Sequence, residues 1–104
     1  MNDLTDELKI INSCIIFASK NSLDYQILRC PNISGGKRIE IDIGKGNLHN
    51  IPTRHYGASF GTKENGNLKY RQIHVYPLND NQIKKTEQFR LHLEKEFPDI
   101  ESKW

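Results

Sequence analysis

The segment Lys37–Ile43 most constrains the fold, because apolar and charged residues alternate strictly along it. One face of this segment carries three isoleucines, and the other carries Arg38, Glu40 and Asp42. Such alternation is typical of a strand in an antiparallel sheet with one buried and one solvated face. The chain must therefore supply a second layer that covers the isoleucine face, and the opposite face of the sheet should stay open.

Two amphipathic segments, one near each end of the chain, can supply that layer. Apolar residues with helical spacing predict a first helix over residues 3–20, with Asn2 as its N-cap; they are Leu4, Leu8, Ile11, Ile15 and Ala18. A similar stripe predicts a second helix over residues 80–97, between an Asn79 cap and Pro98; it comprises Ile83, Thr86, Phe89, Leu93 and Phe97. We expect Ile100 and Trp104 to fold back on the core.

Strand-forming residues bounded by turn signals predict three strands besides Lys37–Ile43, over residues 23–30, 55–62 and 68–76. Asn65-Gly66 between the last two predicts a hairpin with a type I′ turn, in which paired residue numbers sum to 131. A slip by one residue would mix apolar and polar faces. The predicted register places Tyr76 opposite His55 and His74 diagonal to it.

These elements predict a single α+β domain over residues 1–104. Its architecture is a two-layer sandwich, in which a four-stranded, mainly antiparallel sheet has both terminal helices on one face, in the order α-β-β-β-β-α. No apolar run approaches the length of a membrane span, and the acidic N-terminus is unlike a secretory signal, so we expect a cytoplasmic protein without a membrane partner. Cys14 and Cys30 have no ligand spacing, and we expect them to be small buried hydrophobic residues.

Positive charge concentrates in the middle of the chain. Residues 35–78 carry seven basic and three acidic groups, whereas residues 1–34 carry three and four, and residues 79–104 carry five and six. The central segment therefore has a formal charge of +4 against −1 on each side. Together with its tyrosines, this charge favours a phosphate-rich partner such as RNA.

The predicted open face suggests a catalytic hypothesis. Diagonal neighbours across a strand pair lie roughly 7–8 Å apart, so His55 and His74 could act on one phosphodiester as base and acid without a metal or cofactor. Tyr76 would stack on the substrate or donate to it. His49 and His55 have no third ligand at a recognisable spacing, so no metal site is expected.

We therefore expect a small protein of bacterial or phage type that engages RNA or another phosphate-rich partner through its open sheet face. The sharper version is a toxin-type ribonuclease. The residues expected to bind phosphate or nucleic acid are Arg54, Lys45, Lys63, Tyr70, Gln72, Lys84 and Lys85. The alternative is a non-enzymatic interaction module, such as an immunity protein or an inhibitor of an effector, which would use the same face to bind a protein. The sequence leaves the partner and the oligomeric state open.

Overall fold

Two helices and five strands follow one another along residues 4–104, the part of the chain that the computed structural model describes. In chain order they are α1 (Asp6–Lys20), β1 (Asp24–Pro31), β2 (Lys37–Gly44), β3 (Arg54–Thr62), β4 (Gln72–Pro77), α2 (Ile83–Glu96) and β5 (Glu101–Lys103). The strands lie side by side in the order β1-β2-β3-β4-β5. Neighbours are antiparallel except β4 and β5, which are parallel. The α+β architecture with an N-terminal and a C-terminal helix agrees with the prediction, but the sheet is mixed and has a fifth strand.

The core lies between the isoleucine face of β2 and the two helices. Ile39, Ile41 and Ile43 are completely buried, and register pairing places them beside Phe60, Ala58 and Tyr56 of β3. Ile73 and Val75 of β4 and Phe89 and Leu93 of α2 complete the buried set. The alternation of Lys37–Ile43 thus identified the covered face correctly.

Helix α1 begins later and is rotated relative to the predicted stripe. Thr5 is its N-cap, with a side chain that accepts a hydrogen bond from the Leu8 N–H at 3.4 Å. The predicted cap, Asn2, lies outside the described residues. Leu4 and Leu8 are about half exposed, and the buried face is formed instead by Ile10, Ile11, Cys14 and Ala18. Of the predicted stripe, Ile11 and Ala18 are buried and Ile15 packs against the core, whereas the expected burial of Leu4 and Leu8 was wrong.

The C-terminal segment contributes a strand that the sequence did not reveal. Asn79 caps a short 3-10 turn by accepting from the Asn81 N–H, and α2 follows that turn. After α2, Ile100 is buried and β5 pairs with β4, whereas Trp104 is exposed, so the expected burial of Trp104 was wrong. Three residues are too few to show alternation.

The hairpin of β3 and β4 exists, but its register is shifted. Ala58 pairs with Val75 and Ser59 with His74, so paired numbers sum to 133 and not 131. The Gly66 N–H donates to the Lys63 carbonyl, and Gly66 has φ +89°. Ser22 is the one non-glycine residue with positive φ among residues 4–104, which excludes a type I′ turn.

The shift of two residues has a local cause. Thr62 bridges Leu68, a pair that sums to 130, and the Lys69 N–H donates to the Gly61 carbonyl. Residues 70–71 then leave the ladder, and regular pairing resumes only with β4. Because the shift is even, each residue of β4 keeps the face that was predicted for it.

The two cysteines lie in different environments. Cys14 is buried, and burial raises the pKa of its thiol well above the ordinary value. Cys30 is exposed on β1, so its predicted burial was wrong, and both thiols are free.

None of the helices in residues 4–104 is both long and apolar enough to cross a membrane.

Candidate nucleic-acid interface

Two hairpin turns meet at one end of the sheet. In an antiparallel meander the β1–β2 turn and the β3–β4 turn must lie at the same end. Here Gly36, with φ +75°, presses against β3, since a Cβ on it would lie 1.9 Å from the Thr62 carbonyl oxygen. Glycine is therefore required at this contact. The two turns form one continuous surface, which we call the hairpin-tip surface.

The first part of this surface is a depression of about 410 Å³ between the two turns. It is lined by Ser34, Gly35, Gly36, Lys63, Glu64, Asn65 and Lys69. Lys69 Nζ donates to Ser34 Oγ at 2.5 Å. Neither Lys63 nor Lys69 forms an ion pair among residues 4–104. Lys63 and Lys69 thus line this depression without an ion-pair partner, and the carboxylate of Glu64 lines it as well.

The second part is a smaller depression of about 170 Å³ on the open sheet face. It is bordered by Asn32, Arg38, Ser59, Phe60, Gly61, Tyr70 and His74. The Tyr70 ring is 65% exposed, and Arg38 is held by a hydrogen bond from its Nη2 to Glu40 Oε1 at 3.0 Å. The consecutive residues Lys69 and Tyr70 line the first and the second depression, respectively.

The opposite end of the open face is closed by its own side chains. Asp42 is only 2% exposed; its Oδ2 accepts from Gln26 Nε2 at 3.0 Å and lies 4.0 Å from Arg54 Nε. The Tyr76 ring covers Gly57, where a Cβ would lie 3.0 Å from Tyr76 Cε2. We call these five residues the Asp42 cluster.

The phenol of Tyr76 is unsuited to the role predicted for it. Tyr76 Oη is buried and has no hydrogen-bond partner. Burial, and then the negative charges of Glu40 and Asp42, raise the pKa of this phenol well above its ordinary value. Its ring lies within the Asp42 cluster, so the expected stacking or donating role of Tyr76 is not supported.

The two histidines are not brought together. His74 faces Ser59, and His55 lies four positions before Ser59 along β3, a distance of about 13 Å. His55 also occupies a bulge, since Tyr56 pairs with Ile43 and Arg54 with Gly44. The predicted diagonal contact, and the pairing of His55 with Tyr76, were wrong because the register is shifted. One phosphodiester cannot be reached by both imidazoles as a base and acid pair.

The residues expected to bind phosphate are dispersed. Lys63 and Tyr70 lie on the hairpin-tip surface. Gln72 pairs with Glu101 on β5, outside both depressions. The remaining four lie elsewhere: Lys45 donates to the Ser22 carbonyl, Arg54 donates to the Leu48 carbonyl, and Lys84 and Lys85 belong to the first turn of α2, on the helical layer.

Sequence reasoning missed most polar residues of the surface, among them Ser34, Arg38 and Lys69. Alternation along the predicted strand 68–76 places Lys69 on the helical side, but residues 69–71 do not form a regular strand, so alternation does not apply there. The topology of consecutive hairpins could have indicated that the Asn32–Gly36 and Lys63–Asn67 turns share one end of the sheet.

Comparison with known proteins adds no assignment, since no protein-family model, no curated protein and no solved structure matches this chain. Within residues 4–104, no group of three or more His, Cys, Asp or Glu side chains is placed to hold a metal ion. The function must therefore be argued from the surface itself.

Proposed function

We propose that the protein binds single-stranded RNA through the hairpin-tip surface, with no part for a His55–His74 pair. The observation that carries the proposal is the exposed Tyr70, which borders one depression with Arg38 and His74, while the preceding residue, Lys69, lines the other depression with Lys63. An unstacked base can lie on the Tyr70 ring, and the flanking phosphates can then reach cationic groups on either side.

The distribution of charge favours the hairpin-tip surface, rather than the rest of the open face, as the phosphate-binding site. Arg54 is engaged by the Asp42 cluster and a backbone carbonyl, and Lys103 lies 3.9 Å from Glu101. Lys63 and Lys69 have no such partner in the described part of the chain. Phosphate binding at these lysines therefore requires no ion pair to be broken first.

The size of the surface sets the expected behaviour. Three cationic groups, Arg38, Lys63 and Lys69, can neutralise about three phosphates, which gives a slope of log K against log salt of about −2 for a single strand. Raising the salt concentration from about 50 to about 200 mM should thus weaken binding about tenfold or more. One stacked base adds a contribution of about 1–3 kcal/mol.

Fluorescence anisotropy with a labelled single-stranded RNA of about eight nucleotides tests the proposal. The double variant Lys63→Gln, Lys69→Gln should weaken binding about tenfold and make the salt slope shallower by about 1 to 1.5. The control is Lys84→Gln, Lys85→Gln, which removes the same charge from exposed lysines of α2. Equal losses in both double variants would mean that binding follows overall charge, which contradicts a site at the hairpin tips.

A second readout separates binding from cleavage. The RNA is recovered after incubation and its length is measured by gel electrophoresis, for the unmodified protein and for His74→Ala. We expect intact RNA in both samples. Cleavage that His74→Ala abolishes would show a catalytic function that the binding proposal does not contain, and absence of any RNA binding at low salt would leave a protein partner as the better explanation.

A further inference from the structure

We propose that β1 pairs with β1 of a second copy of this chain, so that two sheets join into one across a twofold axis. The inference is independent of RNA binding. It rests on the free edge of β1, on the side chains that this edge exposes, and on a self-complementary register.

The edge itself is long and uncovered. The Asn32 N–H donates to the Gly36 carbonyl. Because hydrogen-bonded pairs recur at every second residue of an antiparallel ladder, the even-numbered residues of β1 bond to β2. The backbone groups of Tyr25, Ile27 and Arg29 therefore point away from β2. Within residues 4–104 none of them bonds to another strand, since β1 ends the sheet.

The two edges of the sheet differ in how they are protected. At the opposite edge β5 has only three residues, and very short edge strands are a common way to prevent pairing. β1 has eight residues, and Tyr25 and Leu28 are each 44% exposed. Pro31, whose backbone also points outward, lacks an N–H and limits any added pairing to residues before it.

One register satisfies all three outward-pointing residues. With Ile27 facing Ile27 of the second copy, Tyr25 faces Arg29 in both directions, and three facing pairs give about six backbone hydrogen bonds. Arg29 is already held by Glu7, with Nε 3.0 Å from Oε2, so its guanidinium is positioned over the helical side of the strand. A Tyr25 ring from the second copy can stack on it.

The competing register, with Leu28 facing Leu28, is less favourable. It places Tyr25 opposite Pro31, which has no N–H, and Ile27 opposite Arg29, so the aromatic contact is lost. In both registers odd-numbered residues face odd-numbered residues, so the two faces of the joined sheets are the same. Only side-chain chemistry and the missing N–H of Pro31 distinguish the two registers.

Cysteine cross-linking tests both pairing and register. Facing residues of a hydrogen-bonded pair have Cα atoms about 5.5 Å apart, which suits a disulfide. In a Cys30→Ser background, Ile27→Cys should form a covalent dimer under mild oxidation, while Cys14 is buried and stays unreactive. Leu28→Cys is the matched control, because its equivalent in the second copy is offset by two residues and should not cross-link. Cross-linking at 28 and not at 27 would overturn the proposed register.

Sedimentation velocity tests pairing without cysteines. We expect the unmodified chain to dimerise reversibly and Tyr25→Lys, which sets a lysine against Arg29 of the second copy, to raise the dissociation constant about tenfold or more. Tyr25→Phe keeps the ring and should dimerise normally, and circular dichroism checks that both variants fold. A strictly monomeric unmodified chain at about 100 μM, or equal dimerisation of the two variants, would overturn the proposal.

Discussion

The two ends of the open sheet face carry similar residue types, yet one is closed and the other open. In the Asp42 cluster a buried carboxylate accepts a hydrogen bond from Gln26 and lies 4.0 Å from the partly exposed Arg54, and the Tyr76 ring packs beside it over Gly57. On the hairpin-tip surface Lys63 and Lys69 have no ion-pair partner among residues 4–104, and Tyr70 is largely exposed beside the second depression. The difference indicates that polar residues on this face contribute to stability where they are packed, and it leaves the unpacked ones as the candidates for recognition.

Backbone geometry creates this difference. A Cβ on Gly57 would lie 3.0 Å from Tyr76 Cε2 and 3.1 Å from Asp42 Oδ1, whereas Gly61 has no atom closer than 4.0 Å to the position of an added Cβ. Glycine therefore permits close packing at Gly57, near one end of β3, and borders an open depression at Gly61, near the other end. We therefore expect substitutions in the Asp42 cluster to change the free energy of unfolding, and substitutions at the hairpin tips to change RNA affinity.

The largest effect is expected from Asp42→Ala. Its removal leaves Gln26 without its acceptor and Arg54 without a nearby carboxylate, and we expect the free energy of unfolding to fall by about 2–3 kcal/mol. Denaturant unfolding measures it. Glu101→Ala removes an exposed carboxylate from the same face and should cost less than about 0.5 kcal/mol, so equal losses would contradict the special role of burial.

Next comes a pair of glycine substitutions on β3. Gly57→Ala brings a Cβ to 2.8 Å from the Ile41 carbonyl oxygen and 3.0 Å from Tyr76, and it should cost about 1–3 kcal/mol. Gly61→Ala meets nothing within ordinary contact distance and should change stability by less than about 0.5 kcal/mol. If thermal unfolding ranked the two variants in the opposite order, the packing described for the Asp42 cluster would be wrong.

A smaller effect, of the opposite sign, is expected from Tyr76→Phe. The substitution removes a buried hydroxyl without a partner, so stability at neutral pH should rise by about 1 kcal/mol. Above pH 10 the unfolded chain ionises its phenols first, because burial raises the pKa of Tyr76 well above its ordinary value and that of Tyr56 to about 12. Stability of the unmodified protein should therefore fall as pH rises from 10 toward 12, and less steeply in Tyr76→Phe. An unchanged slope would contradict the buried position of this phenol.

The smallest effect on stability is expected from Tyr70→Ala, since the ring is 65% exposed. Unfolding free energy should change by less than about 0.5 kcal/mol, while RNA affinity should fall about tenfold. Tyr25→Ala is a control with an exposed tyrosine outside the hairpin-tip surface, and it should retain RNA affinity. A large loss of stability in Tyr70→Ala would mean that this ring belongs to the packed structure.

The sequence predicted faces better than positions. Strict alternation in Lys37–Ile43 identified the buried face of β2, and alternation also assigned His74 to the open face, because both depend only on parity. The pairing of His74 with Ser59 depends on how many residues leave the ladder after Leu68, and no local pattern encodes that number. For the same reason, the sequence could not predict the distance between His55 and His74.

The candidate site was only partly predictable from the sequence. Central positive charge and the tyrosines indicated a phosphate-rich partner, and Lys63 and Tyr70 belong to the surface that now supports that proposal. Which lysines stay free depends on tertiary contacts, such as the bond from Lys45 to the Ser22 carbonyl, that join residues distant in sequence.

Mapping of backbone amide chemical shifts by NMR, during titration with the single-stranded RNA at low salt, tests the central claim most directly. The account predicts that the shifts cluster in residues 32–38, 61–70 and 74, with little change at Asp42, Gly57 or the first turn of α2. Shifts centred on the Asp42 cluster, or on Lys84 and Lys85, would contradict it.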